Sequence, residues 1–194
     1  MSPLLVLTPL AIERFAVRAK LRGAEVVRTG MGRTQSLRAA ATLAKDRPAT
    51  AVAVAGVCGS LDARYVPGDV IVASELRGGS RVRVLESAKP LARAVESLGL
   101  RVHIGPLLSV DRLHGPSERP ALAATGALAV DMESAWLGEL AESLPFAVLR
   151  VVSDGPGHEL WSPRIVVNGV RALRTLRAAA PALLTWAHSL EAHS

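Results

Sequence analysis

The 194 residues are 49% hydrophobic and 21% charged, enough for one medium domain with a sizeable core, which excludes global disorder. Apolar runs of about ten residues are too short to span a bilayer, and the single cysteine, Cys58, excludes a disulfide framework or a multi-cysteine metal site. The net charge is +6 and 20 of the 23 basic residues are arginine, yet they are dispersed and aromatics are only 3%, so no nucleic-acid partner is expected. Residues 1–9 lack a basic leader and read as a first buried strand over 3–8, from which a cytoplasmic location is expected. Helical spacing of Leu10, Phe15, Ala16 and Ala19 predicts a helix over 10–22, followed by a strand over 25–29 that ends at Gly30-Met31-Gly32. An alanine-rich helix is expected over 34–45, then a buried strand over 50–55 closed by a turn, Gly56-Val57-Cys58-Gly59-Ser60. Strands over 70–73 and 82–85 precede a helix over 89–98 that Gly99 stops.

The second half repeats the alternation. A strand is predicted over 101–110, a short helix over 119–124, a strand over 127–130, a helix over 134–143 and an apolar strand over 145–152. A terminal helix over 163–179 and a further one after Pro181 complete the chain. Buried strands alternating with helices predict one α/β domain over 1–194: a mostly parallel, mixed central sheet with helices on both faces.

Ligands in such sheets bind beyond the carboxyl ends of the strands. Those ends deliver Thr8 with Glu13, then Gly30 to Arg33, the 56–60 turn, Asp111 with Arg112, Asp131 to Ser134, and Ser153 with Asp154. The turn before Arg33 fits either an anion clamp of backbone N–H groups and a guanidinium, or a plain tight turn. Asp131 and Glu133 would share one face if the strand continues through them, where a carboxylate can grip a vicinal diol; otherwise they are acids at a helix N-terminus. Asp154 lies at the lip of an apolar strand, where burial would favour the protonated acid that general acid catalysis needs. Its plain alternative is an Asx turn into Gly155. Cys58 reads as an unreactive buried thiol. The five histidines lack metal-ligand spacing, so neither a metal nor an organic cofactor is expected.

Ala129-Val130-Asp131-Met132-Glu133-Ser134 and Leu149-Arg150-Val151-Val152-Ser153-Asp154 resemble motifs of the nucleoside phosphorylase and nucleosidase superfamily. Weaker matches are Gly30-Met31-Gly32-Arg33, the 56–61 turn and Pro67-Gly68-Asp69-Val70-Ile71-Val72, and the resemblance spans nearly the whole chain. Residues 124–154 are most similar to the hopanoid-associated phosphorylase branch, whose members are held to remove adenine from adenosylhopane. The resemblance implies cleavage of a purine nucleoside's N-glycosidic bond, with water or inorganic phosphate as acceptor. It implies that Met132 and Glu133 hold the ribose and that Asp131 and Gly56 lie beside it. Asp154 and Ser153 would meet purine N7, and Glu13 would activate water. Leu113 stands where the family usually stacks an aromatic on the base. Gly30 and Arg33 lie in the glycine turn, on the phosphate or nucleophile side. Val57 replaces a serine of the nucleosidases, the first strand lacks a phosphate loop, and the chain is short between 74 and 84. A homodimer or larger homo-oligomer is implied as well. A lipid-linked nucleoside would further imply transient contact of the basic residues Arg171, Arg174 and Arg177 with the inner membrane face.

Overall fold

The computed structural model describes residues 4–46, 49–157 and 165–192. In chain order the described elements are β1 (Leu4–Thr8), α1 (Ala11–Arg18), β2 (Glu25–Arg28), α2 (Arg33–Asp46), β3 (Ala51–Ser60), β4 (Val70–Gly78) and β5 (Arg81–Val84). Then come α3 (Ala88–Glu96), β6 (Val102–Ser109), α4 (Arg119–Ala123), β7 (Ala129–Asp131), α5 (Ser134–Leu137), a 3-10 turn (Gly138–Ala141), β8 (Phe146–Asp154), α6 (Ile165–Ala179) and α7 (Pro181–Glu191). The expected helix start at 163–164, His158 and His193 lie outside the described residues.

The strands form one mixed sheet. Parallel pairs join β1 to β2 and β3, β3 to β8, β6 to β4 and β7, while β3–β7, β4–β5 and β4–β8 are antiparallel. Because β8 pairs with both β3 and β4, strands β3, β7, β6, β4 and β8 close on themselves in a ring. The apolar runs of β1 and β8, the latter interrupted by Arg150, follow from this, since both strands are buried along their whole length. On one side Val17, Leu91, Leu176, Leu183 and Trp186 from α1, α3, α6 and α7 pack against Val6, Ala53 and Leu149. On the other, Leu43 of α2 and Leu137 of α5 meet Leu7, Val54 and Val148. The expected α/β class and helices on both faces are therefore present. Among the described residues no helix is long and apolar enough to cross a membrane.

Four boundaries differ by more than two residues from expectation, the first at α1, which ends at Arg18 and not at residue 22. Residues 56–60 are not a turn but the last half of β3, which bulges between Cys58 and Gly59 as it leaves β8 and joins β7. A strand interior would ordinarily avoid these glycines; here neighbouring charged side chains occupy the space a Cβ would need. β4 runs on to Gly78 and folds back on β5 as a hairpin. The helix expected over 134–143 is a single α turn followed by a 3-10 turn that starts at Gly138.

Candidate active site

A cavity of about 230 Å³ opens where β1, β3, β7 and β8 end. Four carboxylates line it: Glu13, Asp131, Glu133 and Asp154. Met132 and Ser153 share the wall, and Pro9, Leu10, Met31, Val57, Val110, Leu113 and Val130 supply apolar surface. Residues 120 positions apart and more in the chain thus meet in one chamber, as the sheet's geometry requires.

Glu13 sits in the first turn of α1 and is 1% exposed. Its Oε2 accepts the Leu10 N–H at 2.7 Å, capping its own helix, and its Oε1 accepts the Val57 N–H from β3 at 2.8 Å. Burial pushes the carboxyl above its ordinary range, while Arg150 and these two amides pull it back. Gly56 is not itself in the cavity wall. A Cβ there would lie 2.6 Å from Glu13 Oε1 and would collide with Arg150, so only glycine lets both charged groups approach β3.

Arg150 was not among the residues expected from sequence to form the site. It is fully buried in mid-β8, and its Nη2 pairs with Asp131 Oδ2 at 2.7 Å and Glu133 Oε2 at 3.4 Å. The same guanidinium donates to Ser134 Oγ at 3.0 Å. Burial opposes its charge, but Asp131, Glu133 and Glu13 outweigh that penalty and raise its pKa. One guanidinium therefore serves three carboxylates. Burial likewise pushes Glu133 up, Arg150 opposing and Asp131 assisting.

Of the two readings open for Asp131 and Glu133, the structure shows the acids at a helix N-terminus: β7 stops at Asp131 and Glu133 is the N-cap residue of α5. Asp131 Oδ1 accepts Ser109 Oγ–H at 2.6 Å and the backbone N–H groups of Glu133 and Ser134 at 3.2 and 3.3 Å. Its carboxylate is thus committed to holding the β7–α5 corner. Glu133 Oε1 accepts the Gly32 N–H at 2.9 Å. The glycine turn therefore presents its amide to a protein carboxylate rather than to an external anion.

Asp154 is 4% exposed at the end of β8. The expected burial at the strand lip is present, and Arg119 from α4 pairs with Oδ2. Ser153 Oγ lies 2.9 Å from Oδ1 and 3.2 Å from the Cys58 carbonyl, its one proton serving either. Arg119 also lines the cavity and was likewise missed, being one of many dispersed arginines in the sequence. Cys58 is buried and free, and desolvation pushes its thiol far up, which suits an inert side chain.

Gly30 and Arg33 do not reach this cavity. Gly30, at φ +89°, helps line a separate polar depression with Arg28 and Gln35. Arg33 stacks 4.7 Å over the Trp136 ring and faces Asp111 at 3.6 Å. Leu113 does line the cavity, at its exposed rim with Met31.

Residues 13–180 match the family model described as the phosphorylase superfamily. The 5′-methylthioadenosine/S-adenosylhomocysteine nucleosidase of Helicobacter pylori superimposes with a TM-score of 0.81 at 15% identity, over 97% of this chain and 99% of that one. The corresponding nucleosidase of Neisseria meningitidis gives 0.77 at 18% identity, over 96% and 98%. Futalosine hydrolase of Helicobacter pylori gives 0.80 at 15%, over 97% and 98%. At these identities the likeness is one of fold. No curated protein sequence matches the chain.

Proposed function

The chain belongs to the phosphorylase superfamily, and on that premise we propose that it hydrolyses the N-glycosidic bond of an adenine nucleoside carrying an apolar 5′ substituent. The observation that carries this reading is the single cavity in which Glu13, Glu133 and Asp154 all present carboxylates. Breaking the bond builds positive, oxocarbenium character on the sugar and negative charge on the purine. Asp131, Glu133 and Glu13, three carboxylates around the one Arg150 guanidinium, match the sugar's charge. Glu133 would hold the ribose hydroxyls above Met132, Glu13 would take a proton from water as it adds to C1′ and the C1′–N9 bond breaks, and the departing purine, taking up a proton at N7 from Asp154 or solvent, would lodge against Asp154, Arg119 and Ser153.

Water fits this chamber better than phosphate. A phosphate dianion would enter beside an excess of carboxylates, and Arg33, the expected clamp, is engaged outside. Chromatography of adenosine, methylthioadenosine and adenosylhopane digests is expected to show adenine and free sugar at equal rates with and without phosphate. Phosphate-dependent release with a sugar phosphate as product would replace hydrolysis by phosphorolysis.

The finer substrate proposal is adenosylhopane, as the hopanoid-associated motifs imply. It is supported by Met31 and Leu113, exposed apolar side chains on the cavity rim where a lipid substituent would leave. The shared fold of the methylthioadenosine/S-adenosylhomocysteine nucleosidases favours a second reading, a small 5′-thio nucleoside, and the same digests rank the two. A lipid-borne substrate needs a membrane encounter. Arg171, Arg174 and Arg177 are all exposed on α6, next to exposed Val166, Val167 and Val170. Co-sedimentation with anionic but not neutral vesicles is expected; no binding, or equal binding to both, would remove the membrane contact.

A further inference from the structure

Phe15 of α1 is 80% exposed, more than any other large apolar side chain among the described residues, and Ile12, three residues earlier, is 55% exposed. Both stand on the helix that carries buried Glu13 into the cavity. α1 starts three residues after β1 ends, so its first two turns lie at the carboxyl edge of the sheet, where the cavity opens. α6 packs beside α1 and begins at the same edge. Its Arg171 lies against Gly68, where a Cβ would come within 2.8 Å of Nε. The Gly68 N–H donates at 2.9 Å to the Val152 carbonyl, near the carboxyl end of β8. Val166, Val167 and Val170, all exposed, precede Arg171. Cations follow the apolar tips on both helices: Arg18, Lys20 and Arg22 at and just beyond the end of α1, and Arg171, Arg174 and Arg177 along α6. No exposed carboxylate offsets them, since residues 10–24 hold only buried Glu13 and residues 165–179 hold none.

We propose that the first turns of α1 and α6 form a bilayer-docking face: Phe15 and Ile12 enter the acyl boundary, the cations behind them meet anionic headgroups, and the cavity mouth is seated on an anionic phospholipid surface. This role rests on the nucleosidase reading of the cavity and deepens it. The arginines of α6 supply attraction, whereas the apolar tip of α1 fixes which way the cavity faces. Exposed Met31 and Leu113 on the cavity rim then abut lipid rather than water, giving an apolar 5′ substituent a continuous path from cavity to bilayer. An aromatic and aliphatic face backed by basic residues is the pattern of helices that lie in the interfacial zone. Each cation near an anionic surface adds to the attraction. A second copy of this chain suits the face less well, because across a two-fold axis the same patch meets itself and sets six cations against six.

The test is partitioning of the protein onto vesicles of phosphatidylcholine, alone and mixed with phosphatidylglycerol, for the wild type, Phe15→Ser and, as a control, Val84→Ser. Both side chains are largely exposed, so neither substitution opens a cavity. α1 follows β1 near one end of the sheet, whereas Val84 stands on β5 at the other. The wild type is expected to bind the anionic vesicles, Phe15→Ser to bind them at least about tenfold more weakly, and Val84→Ser to stay within about threefold of wild type. No binding by the wild type, equal binding to neutral vesicles, or Phe15→Ser within about threefold of wild type overturns the proposal. A loss in Val84→Ser as large as that in Phe15→Ser overturns it too. So does sedimentation without lipid that shows a dimer split by Phe15→Ser, which assigns the face to a second copy. Vesicle binding needs no turnover, so the two readings fail separately. Phe15-dependent binding without cleavage of any nucleoside keeps the docking face and removes the hydrolase reading alone. Cleavage of adenosine with binding indifferent to Phe15 does the reverse.

Discussion

Glutamine in place of Glu13 is expected to lower turnover of an adenine nucleoside by about 10²–10⁴-fold with the fold preserved, the usual worth of a positioned base. The substitution is nearly isosteric, and the amide oxygen can still accept the Val57 N–H that Oε1 accepts at 2.8 Å. The amide nitrogen cannot accept the Leu10 N–H now bonded to Oε2 at 2.7 Å, so a stability loss of about 1–3 kcal/mol is expected from that end. What disappears is the capacity to take a proton from water. The pH dependence gives an independent check. Burial holds the Glu13 carboxyl above its ordinary range against the pull of Arg150, and only the ionised form is a base. Activity is thus fully present above that raised value and lost as pH falls through it. The acid limb of kcat/KM should lie above the ordinary glutamate value of about 4.3, and Glu13's part of it should vanish in the variant. Glu133 is raised too and leaves a limb of its own. Turnover within a factor of about three of wild type, with an unaltered profile, would take Glu13 out of the base role.

The parts of the fold legible in the sequence are those written in local pattern. Leu4-Leu5-Val6-Leu7 and Phe146-Ala147-Val148-Leu149 read as strands buried on both faces, and they are. The carboxylates at or just beyond strand ends were equally legible: Glu13 after β1, Glu133 after β7 and Asp154 at the end of β8 meet in one cavity. The groups that hold those carboxylates were not. Arg150 stands inside an apolar run whose inward direction depends on β8 pairing with both β3 and β4. Arg119 follows a segment with no periodic pattern and looks like any other dispersed arginine. The signal for both was present in Gly56 and Gly59, read as a turn because glycine commonly marks one. In fact β3 continues there, and the missing side chains are the space that Arg150, Glu13 and the Arg119–Asp154 pair occupy. Glycine in mid-strand beside a strand bearing a lone arginine is a pattern of close charge approach. Arg33 failed for the opposite reason. Its place in the glycine turn is as expected, but the Trp136 ring offers the guanidinium a surface outside the cavity.

Methionine in place of Arg150 is expected to destabilise the protein by about 3–5 kcal/mol at neutral pH, the range for stranding the partners of a buried ion pair. Volume is roughly conserved, so the loss is electrostatic rather than a cavity effect. Asp131 and Glu133 would lose a guanidinium at 2.7 and 3.4 Å, Ser134 Oγ a donor at 3.0 Å, and Glu13 its main nearby positive charge. Against a total stability of about 5–15 kcal/mol, such a loss is read easily by urea unfolding. Its pH dependence separates this cause from poor packing. Glu13 and Glu133 already have raised folded values, and without Arg150 both would rise further. A raised carboxyl binds its proton more tightly in the folded state, so the variant should regain stability as pH falls through those values. The deficit relative to wild type should therefore shrink between pH 7 and pH 5. A deficit of the same size at both pH values would mean that Arg150 fills space in β8 and does not balance the carboxylates. Catalysis should fail alongside, because protonated Glu13 cannot serve water and protonated Glu133 cannot match a cationic sugar. Arg150→Lys restores one charge but not the fork that reaches Asp131, Glu133 and Ser134 together, and should recover part of the stability and little of the rate.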